Sequence, residues 1–177
     1  MEFSSILLNI GCSFAASFLF VYFLLYIYRP RVEIWPIIAE NDEIDKGKIA
    51  FSFKIRNKSW FRAFDINIQL FEVITIASNN GYRNYRHIEL KMKTQQWSYI
   101  SKMKSRLFYP KFSDNYLIFR TYENLNQILN DQTKFLQFEI TLRHGLTGIS
   151  AIHIREFVRG SVTPGIFQSG RKIAIIK

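Results

Sequence analysis

From Phe3 to Tyr28 the chain runs FSSILLNIGCSFAASFLFVYFLLYIY without one charged side chain, and Arg29-Pro30-Arg31 follows directly. A helix of ~20 apolar residues crosses the hydrocarbon core of a bilayer, so this run is expected to be a single transmembrane helix with residues to spare. Its flanks argue for a retained anchor rather than a cleaved signal peptide. The only early charge is Glu2, not a basic n-region, and the far end carries Tyr22, Tyr26 and Tyr28 in place of small cleavage-site residues. Arg29 and Arg31 stand immediately after the span while no Lys or Arg precedes it, so the positive-inside rule places the C-terminal part in the cytoplasm.

Beyond the span lie 149 residues, room for one ordinary domain. That part holds all 24 Lys and Arg but 13 of the 14 acids, a net of +11, a balance that favours anionic lipid or nucleic acid as a neighbour. The lone Cys12 falls inside the span; neither an intramolecular disulfide nor a multi-cysteine metal site is expected, in keeping with a reducing compartment.

The chain divides into residues 1–28 as the transmembrane helix, 29–47 as a juxtamembrane connection with a first edge strand, and 48–177 as the cytoplasmic domain. In the connection, Val32, Ile34 and Ile38 suit an edge strand interrupted at Pro36, and Glu40, Asp42, Glu43 and Asp45 with Gly47 suggest an acidic surface turn. From Lys48 the period becomes two: Ile49, Phe51, Phe53 and Ile55 oppose Lys48, Ser52 and Lys54. Phe64, Ile66, Ile68 and Leu70 repeat the pattern, as do Ile88, Leu90 and Met92, and Leu136, Phe138, Ile140 and Leu142. Such alternation marks half-buried strands. Turn-forming clusters separate them at 56–59, 78–81 and 144–148, the last joining 134–143 to 149–157 as a hairpin. Further strands are expected at 116–121 and 171–176, and a short helix within 122–131. Six to eight strands with little helix predict a mainly β fold, an immunoglobulin-like antiparallel β-sandwich behind the membrane helix.

Catalytic signatures are missing. There is no glycine-rich phosphate loop and no G-x-S-x-G, and no Arg and following His enclose four to six residues, as a ribonuclease of the Arg-x4-6-His kind requires: Arg83 and His87 enclose three, and Arg143 and His153 enclose nine. His87, His144 and His153 are scattered and read as surface or turn histidines. The expectation is a protein that is not an enzyme and uses no cofactor and no metal.

Two constellations remain. Within the span, Asn9, Cys12, Ser13, Ala16 and Ser17 fall at i, i+3, i+4, i+7 and i+8, one helical face amid Leu, Phe, Ile and Val, which Phe20 continues. Lipid offers no hydrogen bonds, so such a face suits a neighbouring helix or a water-filled lumen; a plain anchor containing Ser and Ala is the competing explanation. The second constellation sets Arg83, Arg86, Lys91, Lys93, Lys102, Lys104, Arg106 and Lys111 against the single acid Glu89, with Trp97, Tyr99, Phe108 and Tyr109 interleaved. RNA, anionic lipid, a partner protein or simple solvation would each account for it.

One N-terminal span ending in Tyr28-Arg29-Pro30, a β-rich part carrying FSFKIRNKSWFRAFDINIQL and FEITLRHGLTGISAIHIREF, and a length of 177 residues together resemble the small accessory membrane protein of type VI-B CRISPR systems. The resemblance implies a ring of eight subunits, a homo-oligomer forming a pore in the bacterial inner membrane. It further implies a role in antiviral defence beside an RNA-targeting effector nuclease, with loss of membrane potential once phage RNA is recognised. A different reading of the same residues is a membrane-tethered module that recruits RNA or the effector through the basic cluster.

Overall fold

In the computed structural model the uncharged run is one helix, α1 (Glu2–Tyr28), followed by a body made almost wholly of strands. The residues described are 2–45, 47–77, 83–103, 115–145, 147–168 and 175–176. The expected turn at 78–81 and most of the expected strand at 171–176 lie outside them.

The juxtamembrane stretch enters a sheet. Strand β1 (Val32–Ile34) stops before Pro36, which has no N–H to give to a ladder, and the chain resumes as β2 (Ile38–Asp45). Both pair antiparallel along the same side of β3 (Lys48–Asn57), β1 near Ile55 and β2 near Phe51. The acidic residues expected to form a turn at 40–45 therefore belong to a strand, and the turn itself is confined to the residues around Gly47, whose φ is +90°. The other side of β3 carries β7 (Tyr116–Thr121), and β10 (Val162–Pro164) completes this first sheet by pairing with β2 in parallel. That parallel pair departs from the all-antiparallel expectation.

The second sheet is built on the long strand β4 (Ala63–Ala77). On one side it pairs with β5 (Arg83–Leu90) at its far end and β6 (Gln96–Ile100) at its near end; on the other it pairs with β8 (Lys134–His144), which pairs in turn with β9 (Ser150–Phe157). Between β7 and β8 lies α2 (Leu125–Asn130), capped by Asn124, whose side chain accepts from the Gln127 amide. A two-stranded ribbon of β11 (Ile166–Phe167) and β12 (Ile175–Ile176) ends the described chain.

Both sheets contribute to one core. Ile34, Phe51, Phe53, Ile55 and Phe119 come from the first, and Ile66, Ile68, Leu70, Leu136, Phe138, Ile140 and Phe157 from the second. Phe53 stacks on Phe138 at 4.8 Å and meets Phe157 edge-on at 5.4 Å. The period-two residues of 134–143 all point inward as expected.

Elsewhere the alternation misleads. Asp65 adopts φ +50° at a register shift in β4, which turns Ala63 inward and leaves Phe64 only half-buried, against Tyr99. The Phe64 ring lies so close to Gly145 that a Cβ there would collide with it. Ile88 is 38% exposed, because the β4–β5 ribbon runs on past the core. Nor is β3 wet on one face, since Ser52 and Lys54 are buried. Lys54 lies beneath a second small cluster of Trp35, Ala39 and Phe167. Its ammonium sits 4.8–5.7 Å from the rings of Tyr116, Trp35 and Phe167 and donates to the Gln168 carbonyl at 2.7 Å. Burial, with the neighbouring Arg56 charge, pushes the Lys54 pKa down to about 8.

Candidate functional site

No residue of α1 is buried over the 22 residues Ser5–Tyr26, a stretch long and apolar enough to cross a membrane. Asn9, Cys12, Ser13, Ala16, Ser17 and Phe20 all lie on it and all are exposed. Because i and i+4 stack along a helix, Asn9, Ser13 and Ser17 form one row and Ile10, Phe14 and Phe18 the next. The height difference between short and bulky side chains opens a groove lined by both rows and by Val21. Cys12 and Ala16 flank that groove on the far side of the serine row. Gly11 and Ala15, a small-xxx-small pair not singled out by polarity, lie about 180° around the helix from the row of Asn9, Ser13 and Ser17 at 100° per residue, and Gly11 has open space around it.

Where α1 ends, the chain is fastened to the β body. The Tyr28 ring meets Phe61 at 5.1 Å and His144 at 5.4 Å, and those two meet each other at 5.0 Å. Pro30 is buried, and its carbonyl accepts from His153 Nε2 at 3.1 Å; a carbonyl can only accept, so this nitrogen carries the proton. The Arg31 amide donates to Ser59 Oγ at 2.7 Å, the Lys58 amide donates to the Arg31 carbonyl at 2.8 Å, and Arg155 donates to the Ile34 carbonyl at 3.0 Å.

Beneath this seam sits Asn57, fully buried. Its Nδ2 donates to the carbonyls of Phe61 and Ser101, and its Oδ1 accepts from the Ser59 amide. The loop that receives the helix is thus shaped from inside by one amide side chain. Apart from the local bonds of Asn57 to Ser59 and Phe61, the links join residues distant in sequence, and for that reason they are not visible as a motif.

This seam corrects the reading of two histidines. His144 is 1% exposed rather than a surface residue, its Nδ1 accepts from the Thr147 amide at 3.3 Å, and burial lowers its pKa. His153 is half-buried; burial lowers its pKa, the bond to Pro30 partly opposing and the Arg29 charge assisting. His87 remains exposed on β5, edge-on to Phe71 at 6.0 Å. Among the described residues, no three His, Cys, Asp or Glu side chains gather into a metal-binding group.

The basic constellation is drawn out into a line. Arg83 and Arg86 lie on β5, Lys91 and Lys93 follow it, and Lys102 follows β6, all exposed. Because β5 and β6 lie end to end along β4, from Ala77 to Ala63, the line extends ~45 Å at 3.3 Å per residue. Lys93 donates to the Tyr122 hydroxyl at 2.8 Å and lies 5.4 Å from that ring. Lys104, Arg106 and Lys111 lie outside the described residues.

No family model and no curated protein matches this chain. Among solved structures it is similar to Spo0M, a sporulation control protein from Bacillus subtilis, at 12% identity and a TM-score of 0.35, over 76% of this chain and 49% of that one. The chain therefore spans about half the length of that structure. A likeness at this level transfers neither fold detail nor function.

Proposed function

We propose that this protein is a homo-oligomeric membrane pore of the bacterial inner membrane. In this reading α1 spans the bilayer and an immunoglobulin-like β-sandwich lies in the cytoplasm, oriented by Arg29 and Arg31. The observation that carries the reading is the bare helix with its row of Asn9, Ser13 and Ser17 beside a row of Ile10, Phe14 and Phe18. One helix cannot enclose a channel, so conduction requires several copies, and small side chains let helix backbones approach closely. Ser and Asn side chains then either line water or bond a neighbour, and Phe20 supplies an apolar constriction that gates by dewetting. The fastened junction at Tyr28 supports control from the cytoplasmic side, since a displacement of the β body moves the helix end with it. Resemblance to the accessory membrane protein of type VI-B CRISPR systems supplies the setting: an eight-subunit ring that depolarises the membrane when the RNA-targeting effector nuclease detects phage RNA.

Purified protein in proteoliposomes tests this directly. Wild type is expected to leak ions or a small dye and to run as a large ring in detergent, whereas Ser13→Leu and Ser17→Leu lose the leak or the ring at unchanged expression. A monomer or dimer with no leak, or full leak in both variants, sinks the pore. The line of exposed bases from Arg83 to Lys102 favours a second reading, a membrane-tethered module that recruits RNA or the effector. It predicts that function survives exchange of α1 for an unrelated anchor and is lost when those bases are neutralised, the reverse of what a pore predicts.

A further inference from the structure

We propose that the loop at 58–62, with Trp60 at its tip, lies in the headgroup layer of the bilayer and docks the near end of the β body on anionic phospholipid. The proposal rests on the reading that α1 spans the membrane.

Its level is fixed by length. The stretch Ser5–Tyr26 has 22 residues, ~33 Å at 1.5 Å per residue, which fills a hydrocarbon core of ~30 Å. Tyr28 then stands ~3 Å past the core, within a headgroup layer ~5–7 Å deep on each side. The Phe61 ring touches Tyr28, and Ser59 bonds to Arg31, so the loop that contains them lies at the same depth.

Between Ser59 and Phe61 stands Trp60, 69% exposed, a large ring facing outward from a loop whose other members are tied down. Tryptophan has an apolar body and one N–H donor, and membrane–water interfaces are where it concentrates. Exposed residues of the loop and of the segments bonded to it include Arg29, Arg31, Lys58, Arg62, Lys102 and Met103: the Met103 amide donates to the Ser59 carbonyl at 2.9 Å and the Arg31 amide to Ser59 Oγ at 2.7 Å. Arg31 already lies 4.9 Å from the ring of Tyr26 on the helix. The acid Glu33, which pairs with Lys58 of the loop at 3.1 Å, is also engaged by Arg56 at 2.6 Å, and Asp65 is engaged by Arg143. A basic rim around an apolar tip complements an anionic membrane surface.

The full-length protein in nanodiscs containing phosphatidylglycerol, with bromine on the lipids either near the headgroup or at the chain end, tests the inference. The Trp60 contribution, wild type minus Trp60→Phe, is expected to be quenched by headgroup-proximal bromine and spared by bromine at the chain ends. Arg62→Glu with Lys102→Glu should reduce that quenching in anionic discs and leave it unchanged in purely zwitterionic ones. Resistance of the protein to alkaline carbonate extraction from vesicles reports α1 separately. Carbonate-resistant protein with unquenched Trp60 overturns the docking and leaves the span intact, whereas extraction by carbonate overturns both. A photo-crosslinker at position 60 that captures a second copy instead of lipid also overturns it, because the tryptophan then belongs to a subunit contact.

Discussion

Replacing Asn57 by alanine should undo the seam between α1 and the β body from beneath. The side chain is 0% exposed and serves three backbone groups: the carbonyls of Phe61 and Ser101, at 2.9 and 3.1 Å, and the Ser59 amide, at 2.8 Å. A typical hydrogen bond contributes ~1 kcal/mol net, and a buried group left unpaired costs ~1–3 kcal/mol. With water able to enter the space and recover part of the loss, the expected destabilisation is about 3–4 kcal/mol. For a body of this size 1 kcal/mol shifts the melting temperature by ~2–4 °C, so Asn57→Ala should melt about 10 °C lower. The ladder itself survives, because the Asn57 backbone keeps its bonds to Asn115 at 2.8 and 3.0 Å. Thermal scans of the full chain in detergent, followed by intrinsic fluorescence, measure the shift. Trypsin cleavage after Arg31 measures release of the loop, since Ser59 no longer holds the Arg31 amide. Asn57→Asp provides a sharper version: it keeps the acceptor for Ser59 but sets a carboxylate against two carbonyls, so it should be at least as harmful as alanine. A tolerated aspartate, or an alanine variant melting within ~2 °C of wild type, would refute the reasoning.

Two pH dependences follow from burial. Lys54 is held to a pKa of about 8, below its ordinary 10.5, so the folded state binds fewer protons than the unfolded one and stability should rise as pH increases from 8 toward 10.5. Denaturant unfolding at pH 7.5, 9 and 10 should show that slope in wild type and lose it in Lys54→Met; equal slopes would contradict the assignment. His144 and His153 are also held below their ordinary value of 6.5, so their contribution is present above pH 6.5 and is lost as pH falls through the lowered values. Protonation removes the acceptor that the Thr147 amide uses on His144, and trypsin cleavage after Arg31 should quicken between pH 7.5 and 5, relative to an unfolded control peptide, less so in His153→Gln, which retains a donor toward Pro30. A cleavage rate whose pH dependence is only that of trypsin itself would argue against a titrating seam.

Much of the architecture was legible because its causes are local. Absence of charge over 3–28 is enough to specify a long apolar helix, and the alternation of Leu136, Phe138, Ile140 and Leu142 is enough to specify which face of that strand turns inward. The i+4 row of Asn9, Ser13 and Ser17 could be read for the same reason. Where alternation failed, a neighbour distant in sequence had intervened: Phe167 covering Lys54, or the register shift at Asp65 turning Phe64 away from the core. The strand β6 was missed because Gln96, Ser98 and two exposed aromatics carry no clean period.

The sequence by itself therefore determined a bare apolar helix, its polar row, and a body of strands with a largely identifiable inward face. Only the tertiary structure decided how helix and body are joined. What reads as a juxtamembrane connection of 29–47 is two sheet strands and a seam made of His153 on Pro30, Ser59 on Arg31 and Tyr28 on Phe61, contacts that reach across as many as 123 residues. Closure over such separations depends on how two whole sheets pack, and no window of sequence encodes it.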